Sequence, residues 1–362
     1  MNQNNNQKFD VSTGIIYFGN RDPYHYISDL EEILTHHCNL VIHTVSEQDL
    51  EFYHKSLAEL FDISKQAGLT VFAHPWGVGQ IFDGYTISKF VLEHKESWQM
   101  LSNFKSVPAA CMNNPEFKAF LQEWIDQVVE LGADGIVWEN PHYYNLESEK
   151  KILQWGCWCN YCKNIYLQKF HHRLPRGIGE EINLLNEYTI INFLKELCDY
   201  AKEKNLINIV CLSPTNANNL SMSSWHQVSE IHTLDIVAAK AYWYYSQFKL
   251  DSFVKGVAKK VNNLCENHGK KSQIWIQNFK ILAGEEKQVE RAIEICMNEK
   301  IDSLVGWSYY GSRAISSLRC QNPKAVWDVL GDMFKRFIAH NNSLKLDQSY
   351  ISTTKTPSDY ES

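Results

Sequence analysis

Eight short apolar runs, spaced by amphipathic stretches, constrain this chain more than any other feature of its 362 residues. They read GIIYF (14–18), LVIHTV (40–45), LTVFAH (69–74), DGIVWE (134–139), INIVCL (207–212), DIVAAKAYW (235–243), SQIWIQNF (272–279) and SLVGWSYY (303–310). Each is apolar at consecutive positions and rich in Ile and Val, the pattern of a strand covered on both faces. Helical patterns at 49–67, 116–131, 184–204, 251–264, 284–298 and 322–337 lie between or after them. In the first, Leu57, Leu60 and Phe61 share one face and Gly68 follows as a C-terminal stop. In the second, Pro115 stands at the first turn and Gly132 past the last. Strand, helix, strand at this spacing implies right-handed parallel crossovers. Eight such units predict an α/β chain closed as a (β/α)8 TIM barrel. An open doubly wound sheet is the alternative, but FGNRDPYHY after the first run lacks the GxGxxG phosphate loop of that fold.

The boundaries follow from the same reading. Residues 1–10 are expected to be a flexible N-terminus, 11–339 one barrel domain, and 340–362 a flexible C-terminal tail. Two long connections, 74–115 after the third strand and 140–183 after the fourth, should lie over the C-terminal, catalytic face. A hydrophobic fraction of 44% and a charged fraction of 21% exclude a largely disordered chain. The formal net charge of -7 argues against a strongly basic nucleic-acid binder. No apolar run approaches the roughly 20 residues that span a bilayer, so no membrane partner is expected. No secretory leader pattern is visible, and a cytoplasmic location is the expectation. Oligomeric state leaves no signal of this kind.

Polar and aromatic residues at the strand ends should converge above the barrel. They are His43; His74 and Trp76; Glu139, Asn140 and His142; Lys240, Tyr242 and Trp243; Gln277 and Asn278; and Trp307, Ser308 and Tyr309. Asn113 is a candidate for the pocket rim, with helix capping by Asn113 or Asn114 as the alternative. Glu139, His74, His142 and Lys240 are the catalytic candidates. Glu139 ends an apolar strand, where desolvation would raise its pKa toward acid chemistry near neutrality. Glycoside cleavage needs a second carboxyl group. Gln277 ends the seventh strand in place of one, which leaves Asp83 and Glu93 in the first long loop. Asp134 opens its strand and belongs to the opposite end of the barrel. Lys240 beside Glu139 suggests Schiff-base or proton-abstraction chemistry, although an ion pair is the commoner meaning of that combination. The aromatic fraction of 13% suits a small polar or carbohydrate ligand, with ring faces for stacking and amides for hydroxyls.

Ten cysteines in a chain of this size do not make a disulfide scaffold. Cys157, Cys159 and Cys162, in WGCWCNYCKNIYLQKF, are close enough to wrap one structural Zn²⁺ with a fourth ligand from elsewhere. Cys111, His142, His171 and His172 are candidates for that ligand. Free thiols and redox chemistry are the alternatives. No organic cofactor is indicated.

The order CMNNPEF, a helix, GADGIVWENPHYY, then CWCNYCKNIYLQKF resembles a group of uncharacterised bacterial TIM-barrel proteins related to glycoside hydrolases. HPWGVGQIFDG and the CLSP and AYW strand ends extend the resemblance over roughly residues 14–310. In that group the fourth strand ends in Trp-Asp-Glu-Pro-His; here Trp138, Glu139, Asn140, Pro141 and His142 stand. The group carries Asp before Pro-Trp-Gly and Asp before Pro-Tyr-Trp; His74 and the pair Lys240–Ala241 stand at those places here. The resemblance implies a carbohydrate-active barrel with altered acidic motifs. Its functional reading is a glycoside hydrolase-like enzyme acting on a small glycoside or glycan fragment, with Glu139 as general acid or base. The alternatives are a non-hydrolytic barrel enzyme using Glu139, Lys240 and His74, or an inactive carbohydrate-binding relative.

Overall fold

The computed structural model describes residues 12–148, 151–177, 179–214, 224–246 and 248–353. Eight strands close a parallel barrel: β1 Ser12–Tyr17, β2 Leu40–Thr44, β3 Thr70–His74, β4 Gly135–Glu139, β5 Ile207–Leu212, β6 Ile236–Ala241, β7 Lys271–Gln277 and β8 Ser303–Trp307. Each strand pairs with its sequence neighbours, and β8 returns to β1 with Ser303 opposite Ser12. A helix follows each strand: α1 Pro23–Thr35, α2 Glu47–Gln66, α3 Pro115–Glu130, α4 Glu180–Glu203, the short α5 Trp225–Ser229, α6 Leu250–His268, α7 Lys287–Asn298 and α8 Pro323–Thr353. Two of these, α1 and α5, have no counterpart among the helical patterns of the sequence. No helix among the described residues is long and apolar enough to cross a membrane.

The strands are buried on both faces, and their two-residue period sorts the core into two layers. Ile16, Leu40, Ile42, Phe72, Val137, Ile209, Ile236, Ala238, Trp275 and Val305 fill the barrel interior. The alternate positions, among them Ile15, Val41, Val71, Ile136, Val210 and Val237, pack outward against the helices. At the N-terminal end, three aspartates each accept a backbone N–H from the preceding strand. Asp134 holds Val71, Asp235 holds Asn208 and Asp302 holds Ser272, at 2.8 to 2.9 Å. Asp134 therefore sits at the bottom of the barrel, where it also pairs with Lys65.

The first ten residues lie outside the described ones. The polar C-terminal stretch does not leave the helix at residue 340, because α8 continues to Thr353. No Pro or Gly interrupts residues 340–353. Buried Asn341 donates to the Ile301 carbonyl at 3.0 Å and holds that turn to the barrel.

Candidate active site

The third and fourth strands feed the two long insertions. In the first, a hairpin of Trp98–Met100 and Ser106–Ala110 precedes α3. In the second, Asn145–Ser148 pairs with Lys151–Trp155, and a helix spans Asn160–Phe170. Gln99, fully buried, stitches the two insertions together. Its Nε2 donates to the Ala110 carbonyl at 3.1 Å and to His142 at 3.5 Å, and its Oε1 accepts from Tyr144 N at 2.8 Å.

A cavity of about 380 Å³ opens at the C-terminal mouth of the barrel. Its floor is Glu139, the last residue of β4, and Lys240, on β6. Both share the inward parity of Val137 and Ala238, which is why two ionisable side chains lie at the top of an apolar stack. Lys240 Nζ is 2.6 Å from Glu139 Oε1 and 2.5 Å from Asp83 Oδ2. On the other side of Glu139, His74 Nε2 lies 2.6 Å from Oε2. Two oxygens held by one Nζ at these distances are closer to each other than the sum of the two contacts.

Asp83 comes from the first insertion, and two glycines set its position. Gly77 N donates to the Asp83 carbonyl at 3.1 Å. A Cβ on Gly84 would lie 2.2 Å from Gly77 N, so only glycine allows the two strands of this loop to touch. The Asn140 backbone takes φ 55° directly after Glu139, a left-handed turn that Asn tolerates better than most residues. That turn directs the second insertion away and leaves Asn140 on the cavity wall. Aromatic rings complete the mouth. Phe18 packs on Trp76 and Trp307 with centroids 4.6 and 5.2 Å apart, and Phe279 packs on Trp307 and Tyr242 at 5.3 and 5.1 Å.

Electrostatics reverse one expectation. Burial by itself pushes the Glu139 carboxyl up, as its place on an apolar strand suggested. The Lys240 charge and then His74 outweigh burial and hold it well below the usual carboxylate range. Burial likewise opposes the charge on Lys240, and Asp83 and Glu139 together raise its pKa above the ordinary lysine value. Glu139 is therefore an anion and Lys240 a cation at neutrality. A protonated amine in that state is a poor nucleophile, which argues against Schiff-base chemistry at Lys240.

This arrangement has a pH signature. A carboxyl whose folded pKa is depressed stabilises the fold above its unfolded pKa and loses that contribution as pH falls through the folded value. For Glu139 the window runs from 4.5 down to about 2. The lysine contribution is lost only in strong alkali. Urea midpoints measured at pH 5 and pH 3 should fall further for the native chain than for Glu139→Gln. Equal falls would show that the pairing contributes nothing to stability.

The remaining candidates divide by strand parity and loop path. Trp76, Asn140, Tyr242 and Trp307 line the cavity with Glu139 and Lys240. His74 stands behind Glu139, 1% exposed, and touches it without reaching the cavity wall. His43 points outward, between inward Ile42 and Thr44, and stacks on Phe61 with centroids 4.9 Å apart. Burial, then Arg21, lowers its pKa to about 3, so it is a neutral packing histidine and not part of the mouth. Gln277 is occupied as a brace: Oε1 accepts from Tyr244 N and Nε2 donates to the Phe279 carbonyl. Asn278 donates to the Ser308 carbonyl at 2.8 Å. Trp243 turns away to Gln288, and Tyr309 donates to Asp29 on α1. His142 contacts the Asn140 carbonyl through Nδ1 and does not line the cavity. Glu93 is exposed outside it. Ser213 and Phe279, just past the ends of β5 and β7, also line the wall and were not among the candidates, although the inward count from Trp275 reaches Phe279; Tyr85, Phe253 and Leu318 reach it from loops and a helix that strand-end logic cannot see.

A second cluster lies between the insertions. The sulfurs of Cys111, Cys157, Cys159 and Cys162 all fall within 4.8 Å of one another, with Cys111 3.5 Å from Cys159 and 3.6 Å from Cys162. Four thiolates at about 2.3 Å around a tetrahedral ion would be ~3.8 Å apart, so the donor set fits a soft divalent metal. Cys111, and not His142, His171 or His172, completes the set; His172 pairs with Glu181 instead. Two N–H groups point at the sulfurs: Asn113 Nδ2 donates to Cys162 at 3.3 Å and Met100 N to Cys157 at 3.4 Å. Such donors stabilise thiolate charge. Asn113 is thus tied to the cluster and not to the mouth, while Asn114 caps α3 by accepting from Glu116 N at 2.8 Å.

No protein-family model matches the chain, and no curated protein matches it in sequence. Solved structures do match in fold. The catalytic domain of β-amylase from Paenibacillus polymyxa superposes with a TM-score of 0.63 at 9% identity, over 89% of this chain and 98% of that one. The endo-1,4-β-mannanase from Rhizomucor miehei gives 0.60 at 7% identity, over 90% and 95%. GH5_18 from Streptomyces cattleya, in complex with GlcNAc, gives 0.57 at 10% identity, over 97% and 82%. The fold is the closed eight-stranded parallel barrel of these glycoside hydrolases. At such identities the likeness extends to the fold alone.

Proposed function

We propose that the barrel mouth binds a small glycoside or glycan fragment and that the chain is a glycoside hydrolase-like enzyme acting through Glu139. The observation that carries this reading is an ionised, buried Glu139 on the floor of an aromatic-walled cavity, with a second carboxylate on the same lysine. The depressed pKa suits Glu139 to the anionic half of the chemistry: it faces the positive charge developing at the anomeric carbon and can attack there as the nucleophile. The acid half then falls to Asp83, the more exposed carboxylate, which would relay a proton from solvent to the departing oxygen. Held at 2.5 and 2.6 Å by one Nζ, the two facing oxygens lie within about 5 Å of each other, which supports the shorter spacing of retaining glycosidases over the about 6.5 to 9.5 Å of inverting ones. One fact favours a second reading, a binding relative without turnover: both Glu139 oxygens already have charged or imidazole partners.

Saturation-transfer NMR against a saccharide library, with product release followed in parallel, separates the two. Binding with release of reducing ends is the expected result. Binding without any release favours the second reading, and no binding by any saccharide sinks both.

We also propose that the four cysteines hold one structural Zn²⁺. Such a closed thiolate site supplies no catalysis. It cross-links the first insertion, through Cys111, to the second, through Cys157, Cys159 and Cys162.

A further inference from the structure

The charge at the mouth selects among saccharides. We propose that this cavity prefers a glycan bearing a protonated primary amine, an amino sugar, over its neutral or anionic counterparts; the inference rests on the mouth being a saccharide site. Among the described lining residues only Asp83, Glu139 and Lys240 carry charge. One cation set between two anions leaves the lining with an excess negative charge.

Accessibility sharpens the asymmetry. The Lys240 side chain is 9% exposed and Glu139 3%, whereas Asp83 is 36% exposed. An entering ligand therefore meets a carboxylate first, while the ammonium is already held at 2.5 and 2.6 Å by both acids. His74 lies behind Glu139 at 2.6 Å, away from the cavity wall, and presents nothing to an entering ligand.

The walls act in the same direction. Trp76, Tyr85, Tyr242, Phe279 and Trp307 present rings to the cavity, and aromatic faces attract ammonium groups while adding little for an anion. Trp76 and Tyr85 meet edge to face at 5.7 Å on the Asp83 side of the mouth, which places ring surface and carboxylate on one loop. A ligand carboxylate would face Asp83 with no exposed cation among the described lining residues to pair it. A ligand hydroxyl gains only neutral hydrogen bonds. A ligand ammonium gains both the charge and the rings.

Three β-1,4-linked disaccharides that differ only at C2 test the idea: chitobiose with free amines, N,N′-diacetylchitobiose and cellobiose. Calorimetric titration of the full chain at pH 6 and low salt should give chitobiose an affinity about 10-fold or more above the other two, because a desolvated charge pair and cation–π contact each exceed a neutral hydrogen bond. The gap should shrink at 0.5 M salt in the native protein. It should also close in Asp83→Asn, in which Lys240 keeps Glu139 as its partner. Equal or weaker binding of chitobiose, or a preference that survives both salt and Asp83→Asn, overturns the proposal and leaves the saccharide site standing. Silence from all three sugars overturns it together with the saccharide reading.

Discussion

Glu139→Gln should lower turnover on any glycoside the protein cleaves by about 10³-fold, with ligand affinity changed only a few-fold. Glutamine keeps the size and the hydrogen-bonding reach of the side chain but removes the anion. The buried charge next to it is not orphaned, since Lys240 retains Asp83 at 2.5 Å. Breaking a buried pair commonly costs about 3–5 kcal/mol when the partner is left alone. With Asp83 still in place, the loss of stability should stay below that range, and the circular dichroism spectrum of the barrel should match the native one. Steady-state kinetics, ligand titration and thermal melting together make the test. Unchanged turnover removes Glu139 from the chemistry. Affinity lost in parallel with turnover shows that Glu139 binds the ligand and does no more.

The second large effect concerns the metal. Native protein purified without chelator should carry about one zinc per chain, and Cys111→Ser should carry close to none. A serine oxygen is a hard, protonated ligand where the site offers soft thiolates. Metal binding of this kind is worth about 10–16 kcal/mol in small zinc domains, so its loss should be felt locally and strongly. The eight strands close without the cluster, and the barrel should persist. The insertions should not. The Leu101–Gly156 bridge and the Trp158 N–Met100 carbonyl bond depend on the same junction, so limited proteolysis should cut within 98–110 or 154–175 in the variant. Elemental analysis decides the first point and mass mapping of the fragments the second. Native protein without zinc, or a variant that retains it, refutes the metal site.

The strand rhythm was legible because parallel barrel strands are apolar on both faces and announce themselves as continuous runs. Which strand-end residues reach the mouth was also legible in part. Counting in twos from Val137 reaches Glu139, and from Ala238 reaches Lys240, while the same count from Ile42 skips His43. Applied throughout, that parity would have set His43 aside. Parity has no purchase beyond the strands. Trp243, Asn113 and Tyr309 lie beyond the strands and turn away to partners remote in sequence, Gln288, Cys162 and Asp29, while His142 folds back on the Asn140 carbonyl.

Local pattern and short spacing are enough to give the eight units, the bottom position of Asp134, and the grouping of Cys157, Cys159 and Cys162. Long-range packing brings Asp83 to Lys240 across 157 positions, and Cys111 to cysteines about 50 residues away. The same packing sets the charge on Glu139. Burial and neighbouring charge push a carboxyl pKa in opposite directions, and only the distances to Lys240 and His74 settle which one wins.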